Sequence, residues 1–230
     1  MIIIESRKKA QKTIEKKYPG FLAIDVTSKA DEPWIKLSPF YPHGKIPVPF
    51  SPGHTSMSVE GIWQGLKVFS GKDVDTSKFF IANMKGLKRT VRLFGKPLGH
   101  RKGVTGIEML DYITARKEIY LVAYEWMLKN KAQEVIQLLK EKAENKDILL
   151  LDYTTNDDIL NGKKPLSHAA LIKQYLEKKY PDITKKHTSH TIKKESRKPR
   201  SAKGNKDKGA VKKDHNSSNQ LGIFQQNKKT

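Results

Sequence analysis

Residues 58–69 read Ser58-Val59-Glu60-Gly61-Ile62-Trp63-Gln64-Gly65-Leu66-Lys67-Val68-Phe69, and the fold turns on how this stretch is read. Val59, Ile62, Trp63 and Leu66 recur at i, i+3, i+4 and i+7, the spacing of one apolar helix face. Glu60, Gln64 and Lys67 have the same spacing on another face, so a carboxylate, an amide and an amine project side by side. Spacing alone is equally compatible with a solvated stripe, and Trp63 fits a core position better than a stacking platform. The preceding segment Leu37–Phe50 (LSPFYPHGKIPVPF) favours a site. An aromatic, proline-rich loop folded over the helix would turn a surface stripe into a pocket wall.

Working outward, Glu5–Lys17 is charge-rich and reads as a short helix ended by Pro19-Gly20. Phe21–Val26 reads as a strand, and Trp34–Leu37 and Ile46–Val48 as short ones. Ile113, Tyr120, Tyr124 and Met127 predict a long helix from about Leu110 to Asn130. Val135, Leu138 and Leu139 give the buried stripe of a second helix, Ala132–Glu144. Ile148–Leu151 is a short apolar run and reads as a buried strand, and Ser167 is a good N-cap for a helix over His168–Lys179. The fold class expected is α+β: one helix-dominated domain with a few short strands. Residues 1–36 would pack on a domain formed by 37–181, and 182–230 would follow as a basic tail.

The order of the motifs resembles the NADAR superfamily. Leu37-Ser38-Pro39-Phe40-Tyr41-Pro42, then Val59-Glu60 with Gln64 and Lys67 beyond, is similar to that family's L-S-N-F-Y-P and T-V-E-H blocks. Leu150-Leu151-Asp152-Tyr153-Thr154-Thr155-Asn156-Asp157 resembles its late L-x-E-x-S-x-x-D segment, and Arg116–Leu139 resembles the helix between them loosely. The likeness spans about residues 37–176. Pro39 stands where the family has Asn, Gly61 where it has His, and Asp152 where it has Glu. The family's Trp-Gly pair after Asp157 is missing, with Leu160 and Gly162 nearby. The resemblance implies a NADAR-like fold and action on N-glycosidic bonds to ribose. It implies Glu60, Lys67 and Asp157 as catalytic residues, Lys67 forming a Schiff base with the opened ribose. Phe40, Tyr41, Gln64, Arg101 and Asp152 are the expected substrate contacts.

The chain has 230 residues, 37% of them apolar, enough for one good core. It has no cysteine, so it carries neither a disulfide framework nor a thiolate site. Its histidines are scattered, and no metal or redox cofactor is expected. No apolar run is long enough to span a membrane, and Met1–Ile4, closed by Glu5, is too short for a signal peptide. The expected location is cytoplasmic and nucleoid-associated, on the assumption of a bacterial or bacterial-virus setting.

The net charge of +21 is unevenly spread. Residues 183–230 hold 14 Lys+Arg against 3 Asp+Glu and almost no apolar side chains, which predicts disorder. Lys185, Lys186, Lys193, Lys194, Arg197, Lys198 and Arg200 suit phosphate backbones. Within the tail, Gln220-Leu221-Gly222-Ile223-Phe224 resembles the bacterial sliding-clamp-binding peptide Q-L-[SD]-L-F, with Gln220, Leu221, Ile223 and Phe224 as the partner-binding residues. A second basic cluster, Lys85, Lys88, Arg89, Arg92, Lys96, Arg101 and Lys102, lies in the domain. Its tract Gly95–Gly103 reads either as a surface loop or as a pyrophosphate cradle with Arg101.

Together these readings give an expected function: a hydrolase that removes an ADP-ribosyl or related ribosyl group from a nucleobase, with DNA as substrate. The alternative is a non-catalytic DNA-associated accessory protein brought to replication or repair sites by its tail. A glycosidase of free nucleotides is a third reading. The oligomeric state is open.

Overall fold

The structure, a computed structural model, describes residues 1–182. The expectations for 183–230, including the peptide Gln220–Phe224, lie outside the described residues.

The chain begins with an unexpected strand, β1 (Ile2–Ser6), which takes in Glu5 and Ser6 from the helix expected over Glu5–Lys17, and α1 is correspondingly short (Gln11–Lys17). Three consecutive isoleucines are β-branched and suit a strand between neighbours. The expected strand β2 follows at Leu22–Asp25. Trp34–Leu37 is a 3₁₀ turn and not a strand. Its backbone bonds are local, Lys36 N–H to the Pro33 carbonyl and Ser38 N–H to that of Ile35. Next come β3 (Ile46–Pro47) and β4 (Thr55–Ser56), an antiparallel pair.

Helix α2 covers Val59–Gly65, capped by the Ser58 hydroxyl, which accepts from Gly61 N–H at 3.0 Å. The helix ends before Lys67, which opens β5 (Lys67–Val68). A 3₁₀ turn (Thr76–Phe80), α3 (Val91–Phe94), β6 (Gly99–Arg101) and β7 (Met109–Leu110) follow. Strands β5, β6 and β7 form a small antiparallel sheet. The long helix expected over Leu110–Asn130 is present in three parts: α4 (Tyr112–Ala115), a π-helical stretch Arg116–Leu121, and α5 (Val122–Asn130). Then come α6 (Gln133–Asn145), β8 (Ile148–Asp152) and α7 (His168–Leu176), the last capped by Ser167 as expected.

Strand β8 lies between β1 and β2, parallel to both, with Ile2 and Leu22 each in register with Ile148. All five of its residues are buried, which explains its unbroken apolar run. Ile148 and Leu150 face the main core with Ile119, Tyr124, Met127 and Leu171, whereas Leu149 and Leu151 meet Ile14 of α1 on the opposite face. Residues 1–36 therefore supply both neighbours of the central strand and belong to the same unit as the rest. The described residues form one α+β domain.

Two glycines let α2 sit deep in that core. A Cβ at Gly65 would lie 2.3 Å from the Phe79 ring, and one at Gly61 2.7 Å from the Lys78 carbonyl. The 3₁₀ turn thus approaches the helix closely enough to forbid any side chain at position 61.

Candidate active site

The carboxyl ends of β2 and β8 open on a cavity of about 350 Å³, the usual place for a ligand in a parallel sheet. Its walls come from the loop Ser38–Phe40, helix α2 with Lys67, the π-helical stretch, and the end of β8 with the start of α7. The wall from α2 is the stripe seen in the sequence. Gln64 Nε2 donates to Glu60 Oε1 at 2.8 Å, and Lys67 Nζ donates to Gln64 Oε1 at 2.9 Å. Glu60 and Gln64 are buried, so this is no solvated face. The proline-rich loop does cover it, since Glu60 N–H donates to the Pro39 carbonyl at 2.8 Å. Pro39 thereby contributes its carbonyl, not a side chain, to the junction.

Although Lys67 stands on β5, its side chain still reaches Gln64. Arg89 sets that geometry: it is buried, its backbone N–H donates to Gln64 Oε1 at 2.9 Å, and its guanidinium donates to the Lys67 carbonyl. The same guanidinium lies over the Phe69 and Phe94 rings at 4.9 and 5.3 Å. Gln64 therefore acts as a spacer, its carbonyl occupied by Lys67 and Arg89 and its amide turned to Glu60. Burial pushes the Glu60 carboxyl above its ordinary pKa, against the pull of Gln64 and Lys67. Burial likewise lowers the Lys67 ammonium, opposed by Glu60 and reinforced by Arg89 and Lys88. The two pKa values move toward each other, which favours a neutral amine beside a carboxyl able to exchange protons.

The opposite wall is built differently. Asp152, at the end of β8, accepts on Oδ2 from Ser167 Oγ at 2.7 Å and from His168 Nδ1 at 3.1 Å, and on Oδ1 from Tyr153 N–H at 2.6 Å. His168 Nε2 lies 2.7 Å from the Val26 carbonyl. Each ring nitrogen faces an acceptor, so both carry protons and His168 is an imidazolium. Burial alone would lower the His168 pKa, but the Asp152 carboxylate outweighs it and the net direction is upward. Burial would raise the Asp152 pKa, but His168, Ser167 and Tyr153 hold it at about 2.

Trp63 of α2 and Tyr120 and Arg116 of the π-helical stretch complete the lining. Trp63 lines the cavity and is backed by His100, ring centroids 3.8 Å apart. His100 is fully buried, and burial together with nearby Lys67 lowers its pKa to about 3, so it is a neutral support. Tyr120 lines the cavity, and its hydroxyl makes no hydrogen bond among the described residues; burial with Glu60 and Asp152 raises its pKa, leaving a protonated donor. Arg116 is fully buried and holds the loop after β8: its guanidinium donates to the carbonyls of Asp158, Ile159, Asn161 and Lys164 at 2.9–3.4 Å and to the Tyr112 hydroxyl at 3.0 Å. At the mouth, Lys88 lies over the Phe40 ring at 5.3 Å.

Of the residues expected at the site, the structure brings together Phe40, Glu60, Gln64, Lys67 and Asp152. Three stand elsewhere. Asp157 is exposed and borders a separate groove with Lys173 of α7 and Glu177 just after it, because the loop clamped by Arg116 leaves the strand end and carries it away. Arg101 is bound to Asp73 by two hydrogen bonds, at 3.0 and 2.8 Å, and to the Ile107 carbonyl at 2.8 Å. Its tract is no pyrophosphate cradle, since the backbone N–H groups of Leu98, Arg101 and Lys102 are spent on Val68, Leu66 and Glu108. Tyr41 packs on His43 outside the cavity. Sequence reasoning missed Lys88, Arg116, Tyr120 and His168 as parts of the site. The run Tyr112, Arg116, Tyr120, Tyr124 at four-residue intervals was the available signal for two of them.

Among the described residues no group of three or more His, Cys, Asp or Glu is arranged to hold a metal ion, and no helix is long and apolar enough to cross a membrane. No curated protein and no solved structure matches the chain. A family model does match, over residues 6–172, a span that takes in every cavity-lining residue from Ser28 to His168. The chain thus belongs to the family described as Family of unknown function (DUF6939).

Proposed function

We propose that this protein is an N-glycosidase that removes an ADP-ribosyl or related ribosyl group from a nucleobase, with DNA as its substrate. The observation that supports this reading is the hydrogen-bonded run Glu60–Gln64–Lys67, with its converging pKa values, on the wall of a cavity also lined by Trp63 and Tyr120. The chemistry needs a nucleophilic amine, and burial, by lowering the Lys67 pKa, moves that residue toward its uncharged form. The amine attacks the anomeric carbon as the bond to the base breaks, and the base leaves with a proton. Ring opening then forms the C1′=N bond while the ring oxygen takes a proton. Water hydrolyses this imine, freeing the lysine and releasing the sugar.

Glu60 carries the protons in both directions and stabilises the positive charge that develops on the sugar. With Asp157 outside the cavity, Glu60 is the carboxylate assigned to that role. Asp152, committed to His168 and Ser167, is a structural charge. Trp63 and Phe40 offer aromatic faces to the base, and Tyr120 a neutral donor to a ribose or base oxygen. The tail peptide Gln220–Phe224, outside the described residues, would deliver the enzyme to a sliding clamp.

The test is incubation of the full chain with ADP-ribosylated DNA and with the matching ADP-ribosylated nucleoside, followed by mass spectrometry of the products. Release of the free sugar moiety from either substrate is expected. Intact substrate in both arms, with a correctly folded protein, would remove the proposal.

A further inference from the structure

From Thr76 to Ile107 the chain has no acidic residue and eight cations. The structure divides them. Arg89 is buried under Lys67, Arg101 is paired with Asp73, Lys102 with Glu108 and Glu118, and Lys78 donates to the Gly86 carbonyl. Lys85, Lys88, Arg92 and Lys96 remain, all exposed, with no ion pair and no side-chain hydrogen bond among the described residues. They fall within twelve residues, and that segment is pinned in place: the Arg89 guanidinium lies over Phe69 and Phe94, and those rings pack at 5.3 Å. Lys88 is itself a wall of the cavity, over Phe40 at its mouth. Large apolar side chains stand exposed among the cations, Val91 at 63%, Leu93 at 76% and Leu98 at 63%.

Four unpaired cations held on a fixed segment, with no carboxylate among them, match a chain of phosphates spaced along a backbone. Interleaved aliphatic groups suit the sugars and base faces of an unpaired strand, and a duplex would turn those faces inward. The cavity makes the same demand, since a volume of about 350 Å³ takes one nucleoside and a base within a duplex cannot enter it. The geometry points to Lys85, Lys88, Arg92 and Lys96 as a track for single-stranded DNA that ends at the cavity mouth. The strand lies across the track and presents one modified nucleotide past Lys88. This rests on the N-glycosidase reading for what happens inside the cavity, but the track is defined by binding and stands or falls without turnover.

The experiment is fluorescence anisotropy with labelled single-stranded DNA of about twenty nucleotides, using the full chain and a full-chain variant carrying Lys85→Gln, Lys88→Gln, Arg92→Gln and Lys96→Gln. The tail is the same in both proteins, so its own contribution cancels. For single strands each phosphate contact adds about 0.7 to the slope of log K against log salt, so the variant should lose close to 3 from that slope and bind at least about tenfold more weakly at 0.1 M salt. Photo-crosslinking of a 4-thiothymidine strand to the wild-type protein should yield adducts within residues 85–96. An unchanged slope, crosslinks confined to other segments, duplex bound as tightly as the single strand, or a preference for RNA of the same sequence would each overturn the proposal. Any of these, with sugar release from the modified nucleoside by the wild-type protein intact, would leave the N-glycosidase reading standing without the track.

Discussion

The two walls of the cavity use similar side chains to opposite ends. On one, Glu60, Gln64 and Lys67 come from eight consecutive residues, and their acid and base are held apart by an amide, with no Glu60–Lys67 ion pair. On the other, Asp152 and His168 come from β8 and α7 and meet directly, every polar atom of the pair given a partner. Burial acts on both. In the first it moves the two pKa values toward each other, because neither charge is compensated by contact. In the second the direct contact overrides burial and moves them apart. A charge left partly uncompensated is a reagent, and a charge fully compensated is a brace.

Substitution should separate these roles cleanly. The largest effect expected is on turnover: Lys67→Ala should lower kcat by about 10³-fold or more and Glu60→Gln by about 10²–10⁴-fold, both with near-native thermal unfolding. Steady-state kinetics beside a melting curve checks this, and reduction with cyanoborohydride during turnover should fix the sugar on Lys67. Unchanged kinetics in both variants would erase the distinction between the walls.

Asp152→Ala should do the reverse. Leaving the buried His168 without its carboxylate costs about 3–5 kcal/mol, read as a lower midpoint in denaturant. A loss of activity at full stability would instead make Asp152 a catalytic group.

Next in size is Gly65→Ala, whose methyl group would collide with Phe79. It should cost about 1–3 kcal/mol and shift the stripe, so activity and stability should fall together.

The smallest effect concerns pH. Asp152 has a lowered pKa of about 2, so its contribution to stability is present above the unfolded value near 4 and is lost as pH falls toward 2. The His168 pKa is raised, so its contribution is complete below about 6.5 and is lost as pH climbs through the folded value. Denaturation across pH should therefore show a plateau between roughly 4 and 6.5 that Asp152→Asn flattens on both sides. A profile that the substitution leaves unchanged would mean that the pair is not ionised in the folded protein.

The two walls also differ in how far they could be read in advance. The stripe is local: the relative directions of Glu60 and Gln64 follow from helix geometry, and the Ser167 cap and the buried run Ile148–Leu151 were legible for the same reason. Asp157 was misplaced because its neighbourhood depends on where the fifteen-residue loop between β8 and α7 runs after Asp152, and that path is fixed by Arg116 binding carbonyls more than forty residues away. Arg101 was misread because its partner Asp73 is twenty-eight residues distant. Strand β1 was missed because three apolar residues have no period, and only pairing with β8 makes them a strand.

By itself, then, the sequence determined most of the helices, the buried strand Ile148–Leu151, the acid–amide–amine stripe and the excess of positive charge, since each follows from spacing or composition within a few residues. The tertiary structure alone decided that the stripe is buried, that Lys67 reaches it from a strand, and that His168, Tyr120 and Arg116 share its cavity. It also decided that only half of the cations between Thr76 and Ile107 are left unpaired. Whether a charge is reactive, structural or free depends on its partners, and these partners come from segments that only folding brings together.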